Sequence, residues 1–543
     1  MHELFEHPEI VSPYGSGEER FKDKAFVQDL SLESFLKAVP FHASNEKESR
    51  AYAKKVLVDI GSDIRTAKYR QAVFDDLVPK VLLRNNVRKY VRNLNDLAYK
   101  LDAFQKKRDL PKGLAMARLY RDILDNPHDL ESANSDAVKT VASYFRELRV
   151  SNSSSHLRSL LERIGNSAEM AFRVSLDRNG SPLKMHALEL VQKDAGERRG
   201  LLSLLEKTLR KKRHEHNLRT TGGLNELGKI IRDYMERQFV PVINAYTPQI
   251  QEMIRLLEPL DFYVGFAEYF GALKERNFEI CKPTLLPAEE RRMFVKNARN
   301  PLLLKNRAME VKNKGISPFQ ADTENNAGRI VPNGIEYNAD ENMFVITGPN
   351  NGGKTTYAKT IGLIQLLGQK GLFVHAESAE VSFVDGIYTH FVTPDDIAQG
   401  EGRYRNELRR MKEIFEKATP YSLVILDEPC GGTRYEEGLR QSLAILDGFH
   451  KLGSATYFTT HMHPLTKEVD KGRYPAARNL TVEWKYVDHR MLYTYKMIPG
   501  ASDKSYGEEI AREMGLMPEN IEETLFQKAE EGGYGEILRK RFS

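Results

Sequence analysis

The residues best suited to chemistry form a glycine-rich stretch in the second half of the chain. Residues 348–355 read Gly-Pro-Asn-Asn-Gly-Gly-Lys-Thr, a pattern whose backbone N–H groups cradle nucleotide phosphates. A helix that begins at the end of such a stretch adds positive potential there. We expect Lys354 to reach the β and γ phosphates of ATP and the Thr355 hydroxyl to hold Mg²⁺. The residues expected to contact the nucleotide are Gly348, Pro349, Asn350, Asn351, Gly352, Gly353, Lys354, Thr355 and Thr356.

Two acids and a histidine further along the chain can complete a site for nucleotide hydrolysis. Asp427 and Glu428 follow an apolar run, at the end of a predicted strand, where doubly wound folds bind ligands. We expect Asp427 to orient Mg²⁺ through water and Glu428 to polarise the attacking water as general base. His461 follows another predicted strand and can sense a γ-phosphate by hydrogen bonding. Taken singly, each is more often an ordinary solvated acid or a structural histidine, but the glycine-rich stretch favours the catalytic interpretation.

These side chains need a sheet to bring them together, and the second half of the chain has the pattern for one. Short β-branched, apolar runs at residues 343–347, 422–426 and 455–460 are typical of buried strands. Helical patterns separate them, for example over residues 355–367 and 405–418. Alternating strands and helices predict an α/β domain with a mainly parallel sheet.

The first half of the chain has a different pattern, which is overwhelmingly helical from about residue 44 to residue 281. Long helices with short breaks predict an elongated helical domain. One part of it is strongly basic, and a solvated helix face is the ordinary interpretation of such a run. The alternative is a tip that contacts nucleic-acid phosphates. The basic residues are Lys207, Arg210, Lys211, Lys212, Arg213 and Arg219.

Length and composition limit the class of protein. The chain has 543 residues, of which 41% are hydrophobic, so it can form sizeable cores and is not disordered throughout. Lysine and arginine number 81 against 76 acids, a net charge of +5, so nucleic-acid contact would come from local patches. Two distant cysteines exclude a disulfide framework or a cysteine metal cluster. No signal peptide or membrane span is indicated, which predicts a cytoplasmic protein.

Several motifs in a fixed order resemble one family. Residues 347–357 closely resemble the phosphate loop of the MutS family, the mismatch-repair branch of ABC-type ATPases, which typically reads T-G-P-N-M-G-G-K-S-T-Y. Residues 395–398 resemble its D-D-L-A segment, and residues 427–433 its D-E-x-G-R-G-T segment. Residues 499–516 are similar to its P-G…S-Y-G tail. The resemblance is specific over roughly residues 300–520 and weaker before them.

The resemblance implies a fold and a division into domains. It implies an α/β P-loop ABC-type ATPase domain at residues 282–543, with a short C-terminal helical tail. An elongated all-α core and lever domain would precede it at residues 44–281, after a leader at residues 1–43. The family places its DNA clamp where this chain has residues 190–222. Because of that position, contact of the basic residues with DNA is as well supported as the alternative, a solvated helix face.

Two departures from the family pattern concern the site itself. The family's signature loop, S-T-F-x-x-E-M, aligns with residues 402–408, where Gly402 and Arg403 replace the Ser-Thr pair. We hypothesise that Arg403 acts on the partner's γ-phosphate as an arginine finger. The aromatic residue that stacks on adenine in the family aligns with Ile330, so apolar packing is expected to grip the base.

A third departure lies at the N-terminus. The chain reaches the helical core within about 50 residues, so the resemblance implies a short member without the N-terminal mismatch-recognition domain. Two Phe-x-Glu sequences, at residues 145–147 and 266–268, lie inside helical patterns and are interpreted as structural. Insertion of a wedge between bases is therefore not expected.

Three functions are compatible with these observations. The first is an ATP-switched, homodimeric DNA-binding protein of MutS type, whose clamp opens and closes on mismatched, branched or otherwise structured DNA in repair or recombination. The second is an ATPase that acts on ribosomes or structured RNA, since phosphate contacts do not distinguish the polymers. The third is a small-molecule kinase, which the acid pair, His461 and the long helical half argue against.

Overall fold

The computed structural model describes residues 25–59, 63–165, 169–176, 182–191, 233, 235–304, 330–392, 401–487, 490–501, 511–512 and 514–531. The helices are α1 (Ala25–Asp29), α2 (Leu32–Leu36), α3 (Glu46–Val58), α4 (Ile64–Leu77), α5 (Val81–Lys106), α6 (Leu110–Asp125), α7 (Asp136–Val150), α8 (Asn152–Gly165), α9 (Thr247–Ile254), α10 (Leu257–Glu275), α11 (Lys354–Gln369), α12 (Glu401–Lys417), α13 (Tyr435–Leu452), α14 (His463–Asp470) and α15 (Pro518–Glu531). The strands are β1 (Glu169–Leu176), β2 (Pro182–Val191), β3 (Thr284–Leu286), β4 (Met293–Ala298), β5 (Asn333–Tyr337), β6 (Met343–Thr347), β7 (Ser378–Ser382), β8 (Ile387–His390), β9 (Leu423–Asp427), β10 (Ala455–Thr459), β11 (Ala477–Val487) and β12 (Arg490–Pro499).

The chain divides into two compact units. The helical unit contains residues 41–49 and 79–264, and the sheet unit contains residues 25–40, 50–78 and the chain from residue 265 onwards. These limits differ from the boundaries expected after residues 43 and 281. The reason is that α1, α2 and α4, which precede the main part of the helical unit in sequence, belong to the sheet unit.

The helical unit is built from long amphipathic helices. The buried residues of α5 recur at a spacing of three or four, which gives one apolar face. The Asp109 carboxylate caps α6 by accepting a hydrogen bond from the Lys112 amide at 3.0 Å. A Cβ on Gly113 would lie 2.9 Å from the Phe104 ring, so glycine allows α5 and α6 to approach closely.

The expectation of an all-α domain over residues 44–281 is wrong in one place. Strands β1 and β2 pair antiparallel and form a hairpin between α8 and α9. Runs such as Met-Ala-Phe-Arg-Val in β1 have strand propensity, which the helical pattern on either side obscured. The predicted clamp at residues 190–222 and its basic residues lie outside the described residues, apart from Leu190 and Val191 at the end of β2.

The sheet unit is organised around a six-stranded sheet in the order β12-β11-β6-β10-β9-β8. Its neighbours are parallel except for the antiparallel pair β11 and β12, so the predicted mainly parallel sheet is confirmed. Strands β6, β9 and β10 are buried along their whole length, because α11 covers one face while α12 and α13 cover the other.

A second sheet of four strands, in the order β3-β7-β4-β5, belongs to the same unit. Strand β4 runs antiparallel to β5 and β7, whereas β3 and β7 are parallel. The unit is therefore a mixed α/β structure with two sheets. In the part of the chain that the structure describes, no helix combines the length and apolar character needed to cross a bilayer.

Candidate active site

The glycine-rich loop joins the end of β6 to the start of α11, which is the strand–loop–helix context that the motif predicts. Gly348 and Gly353 adopt φ angles of 149° and 95°, where side chains are strained. A Cβ on Gly348 would also lie 2.7 Å from Cγ2 of Val482 on β11. The loop therefore depends on glycine for both its backbone conformation and its close approach to the neighbouring strand.

Lys354, the first residue of α11, extends its ammonium group across this loop. Its Nζ donates hydrogen bonds to the carbonyl oxygens of Gly348 at 3.0 Å and Pro349 at 3.1 Å. Only 4% of the residue is exposed. Burial lowers the pKa of Lys354, and the nearby carboxylates of Glu428 and Asp427 oppose that shift. The ammonium group of Lys354 thus lies where the motif predicts that nucleotide phosphates bind.

Thr355 and Asp427 come together although 72 residues separate them in sequence. The Thr355 hydroxyl donates to Oδ2 of Asp427 at 2.7 Å, and the Thr459 hydroxyl donates to Oδ1 at 2.5 Å. Burial raises the pKa of the Asp427 carboxyl, and both hydrogen bonds oppose that rise. Hydroxyl and carboxylate oxygens are the donors that Mg²⁺ prefers, with phosphates and water completing its coordination. The pair therefore fits the predicted metal role.

Glu428 and His461 form the second pair at the carboxyl ends of the parallel strands. Nε2 of His461 lies 2.7 Å from Oε1 of Glu428, and Lys354 Nζ lies 3.3 Å from the same nitrogen. The hydrogen bond from His461 lowers the pKa of Glu428, against the effect of burial. Glu428 also has a left-handed backbone, with φ of 52°. A hydrogen bond from its amide to the carbonyl oxygen of Thr459, at 3.2 Å, stabilises this conformation. An ionised carboxylate therefore faces the loop cation.

A cavity of about 560 Å³ opens beside the loop. Its lining includes the loop residues, Glu428 and Ile330, which stands at the position where the family has an aromatic residue. The apolar and aromatic lining residues are Ala298, Leu303, Ile330, Val331, Tyr357 and Tyr495. The glycine-rich loop and several apolar side chains therefore line the same cavity, whose volume lies in the range of ligand-binding pockets.

Tyr495 is a lining residue that the sequence interpretation missed. It lies in a bulge of β12, where residues 494–496 face the single residue Glu483 of β11. Its backbone is left-handed, with φ of 59°, and its ring would lie 3.4 Å from a Cβ on Gly353. The bulge reorients the ring towards the cavity. Simple alternation along a strand contains no signal for such a bulge.

The structure brings together the phosphate loop, Asp427, Glu428, His461 and Ile330, but not every predicted residue. Arg403 lies in the first turn of α12, and its side chain is outside the described residues. The segment at 395–398 is also outside them, as is most of the tail at 499–516. The six basic residues from Lys207 to Arg219 lie outside the described residues as well. Among the described residues, no group of three or more His, Cys, Asp or Glu side chains could hold a metal ion by itself.

Fold and site together define a mixed α/β domain that follows a helical region and carries a glycine-rich loop beside an acid pair. Residues 344–531 match the family model of MutS domain V. The resemblance to the MutS family is therefore confirmed over this part of the chain.

Individual relatives agree with this assignment. The chain is 31% identical over 307 residues to the DNA mismatch repair protein MutS of Lactobacillus delbrueckii subsp. bulgaricus, a match covering 56% of this chain and 33% of that protein. It is 36% identical over 224 residues to the protein of the same name from Solibacter usitatus, covering 40% and 26%. The corresponding protein of Shouchella clausii is 31% identical over 275 residues, covering 50% and 28%. The matched region thus spans a third or less of these relatives' length.

Proposed function

We propose that the chain is an ATPase of MutS type that couples ATP binding and hydrolysis to DNA binding. The observation that carries the proposal is the mutual contact of Lys354, Thr355, Asp427, Glu428 and His461 beside one cavity, which Lys354, Thr355 and Glu428 line. A buried cation, a hydroxyl–carboxylate pair and an ionised carboxylate next to a histidine are the groups that phosphoryl transfer to water requires.

Each of these groups has a distinct role in the proposed reaction. Lys354 binds the β and γ phosphates, and the loop amides orient them. Thr355 and Asp427 would hold Mg²⁺, which when bound neutralises charge on the phosphate oxygens. Glu428 accepts a proton from the attacking water, and its lowered pKa keeps it in the ionised form that this step needs. His461 donates a hydrogen bond to the γ-phosphate while remaining close to Glu428.

The base of ATP would occupy the apolar side of the cavity. Ile330 and Val331 provide apolar packing, and the Tyr495 ring provides a stacking surface. A tyrosine from β12 would thus supply the aromatic contact that Ile330 lacks.

The family relationship suggests how ATP binding would be coupled to dimerisation and to closure of the clamp. Two sheet units would enclose two ATP molecules in a homodimer, with the segment at 402–408, including Arg403, completing the partner's site. ATP would favour a closed clamp because it binds the closed state more tightly than the open one. The relatives named DNA mismatch repair protein MutS support DNA as the polymer, with a role in repair or recombination.

The experiment that tests the proposal is the Glu428→Gln variant. It preserves the shape of the side chain and removes the base, so ATP should still bind while turnover falls by at least about 100-fold. The trapped ATP state should also dimerise, measured by sedimentation with and without ATP.

The matched control is Glu416→Gln, on the exposed side of α12, which should keep turnover and dimerisation unchanged. Turnover that survives in Glu428→Gln would exclude Glu428 as the base. A variant that binds ATP but stays monomeric would exclude the proposed homodimer, in which the sheet units of two copies enclose ATP.

A further inference from the structure

The N-terminal segment, defined here as residues 25–36 (α1 and α2), packs directly on the helix that carries the phosphate loop. Leu30 is completely buried, and its Cδ2 lies 2.6 Å from the point where Gly362 of α11 would have a Cβ. Ile425 of β9 borders the same point at 3.2 Å. The absence of a side chain at Gly362 therefore allows this segment to sit against α11 and the central sheet.

Asp29, the last residue of α1, is a buried acid that the proposed hydrolysis does not use. Only 4% of the residue is exposed. Its Oδ2 accepts a hydrogen bond from the Thr389 hydroxyl of β8 at 2.6 Å and forms an ion pair with Arg410 of α12. Burial raises the pKa of Asp29, and the Arg410 charge is the largest effect that opposes the rise. A single carboxylate thus joins the N-terminal segment to a strand at the edge of the sheet and to a helix.

A second polar contact joins the same segment to α11. Lys359 Nζ donates to the Ser31 hydroxyl at 3.1 Å and lies 5.6 Å from the centre of the Phe391 ring. Lys359 stands on α11 shortly after Lys354 and Thr355, which belong to the candidate site. The segment therefore contacts α11 through both Leu30 and Ser31.

Helix α12 is the element on which these contacts act. Its first two turns contain residues 402–408, the segment aligned with the family's signature loop, and Arg410 lies two residues beyond that segment. Arg410 also donates from Nε to the Thr389 carbonyl oxygen at 3.0 Å. The buried Glu407 accepts a weaker contact, at 3.4 Å, from the Gly432 amide in the loop after β9. The position of residues 402–408 thus depends on contacts to β8, to the N-terminal segment and to the loop after the acid pair.

We propose that Asp29 is a positioning residue that holds α12, and with it residues 402–408, at a fixed place relative to the phosphate-loop helix α11. This inference rests on the proposed function, in which residues 402–408 complete the nucleotide site of a second copy. An error of about 1 Å in placing a group across such a site can reduce the rate by about 100-fold. The N-terminal segment thereby affects the rate of hydrolysis through α12, without contacting the nucleotide.

The principal test is Asp29→Asn in the full chain. The change keeps the side-chain size and leaves Arg410 without its carboxylate partner, so α12 should lose its fixed position. Turnover at saturating ATP should fall about tenfold, whereas KM for ATP should stay within about twofold, because the loop and α11 are unaltered. Steady-state kinetics, with the folded fraction measured by circular dichroism, separate this effect from simple unfolding.

Two further variants keep the test informative if Asp29→Asn folds poorly. Thr389→Val removes one hydrogen bond to Asp29 without leaving a charge unpaired, and should lower turnover in the same direction but less. Arg410→Met should resemble Asp29→Asn, and the double variant should be no worse than either single one, because both changes remove one interaction. Arg409→Met, on the exposed side of the same helix, is the control and should leave turnover unchanged.

The outcomes separate this inference from the function on which it rests. Wild-type chain without ATP turnover would overturn both. Wild-type turnover that Asp29→Asn and Thr389→Val leave intact, with only a lower melting temperature, would overturn the positioning role alone. Additive losses in the double variant would likewise show that Asp29 and Arg410 act separately, which contradicts the proposal.

Discussion

At the scale of single residues, Thr459 shows how one hydroxyl can organise an acid pair. Its Oγ1 donates to Oδ1 of Asp427 at 2.5 Å and accepts from the Glu428 amide at 3.1 Å. One side chain thus orients the proposed metal-binding carboxylate and stabilises the strained backbone of the proposed base. Sequence patterns identify Thr459 only as a strand residue, because its partners come from a strand 32 residues earlier.

Thr459→Val tests this role, because valine has the same shape and cannot form either hydrogen bond. The hydrogen bond from Thr459 lowers the pKa of Asp427, so its loss should raise that pKa. Asp427 would then become protonated at a higher pH than in the wild type. Turnover at neutral pH should fall about tenfold, and the acidic limb of the pH–rate profile should move towards higher pH.

Thr456→Val provides the matched control, since Thr456 is buried on the same strand and its hydroxyl bonds to Ser454 rather than to the acid pair. It should leave the pH–rate profile where it is. An unchanged profile in Thr459→Val would remove Thr459 from the site.

At the scale of elements, the position of α11 is set at both of its ends. At the start lies the phosphate loop, and at the end Gly371 adopts φ of 76°. The Gly371 amide donates to the carbonyl of Gly368, and the Leu372 amide donates to that of Leu367, which terminates the helix. A Cβ on Gly371 would lie 2.1 Å from the carbonyl oxygen of Ala67 on α4. Close contact with α4 therefore requires glycine at this position.

Gly371→Ala should consequently destabilise the sheet unit. The left-handed backbone costs about 1 kcal/mol, and displacement of a backbone carbonyl adds to it, for a total loss of about 3 kcal/mol in the free energy of unfolding. Urea unfolding followed by circular dichroism measures the shift in midpoint.

Gly472→Ala is the control, because Gly472 has nearly the same φ, 75°, and its added Cβ would meet no atom within 4 Å. It should cost only the backbone term of about 1 kcal/mol. Equal losses in the two variants would show that the contact with α4 does not matter.

At the scale of the whole molecule, the proposed function requires the chain to bind a nucleic acid. The net charge of +5 is small for 543 residues, so affinity for nucleic acid must come from a local concentration of charge. The stretch from Lys207 to Arg219 is such a concentration, with six basic residues and one acid, Glu215. Each phosphate contact releases condensed counterions, which makes the number of contacts measurable from salt dependence.

Replacing Lys211, Lys212 and Arg213 with serine should weaken binding to branched or mismatched DNA. The slope of log affinity against log salt should become shallower by up to about 3 on duplex segments. Fluorescence anisotropy with duplex, mismatched and branched DNA and with ribosomal RNA, each with and without ATP, measures affinity and slope together.

The control replaces Lys106, Lys107 and Arg108, which are three exposed basic residues at the end of α5. An equal effect of both triple changes would mean that the stretch at 207–219 has no special role. Preference for ribosomal RNA over every DNA would contradict the proposed substrate and favour the RNA alternative.

Local sequence determined much of the candidate site. Residues 348–355 are contiguous, and their conformation depends on glycines at fixed places, so the phosphate loop can be recognised without a structure. The acids at the end of β9 and the histidine after β10 are similarly local, because the carboxyl ends of parallel strands meet at one edge of a sheet. The mainly parallel sheet followed from the alternation of strands and helices.

Tertiary structure alone decided the contacts between distant residues. Asp29 is the buried partner of Arg410, 381 residues away in the sequence. Tyr495 enters the cavity because β12 bulges, and the β1–β2 hairpin interrupts a region with helical periodicity. Periodicity and motifs indicate the interactions that a residue makes with residues near it in the sequence. The free energy of a buried ion pair, a bulge or a close glycine contact depends on partners that only the folded chain brings together.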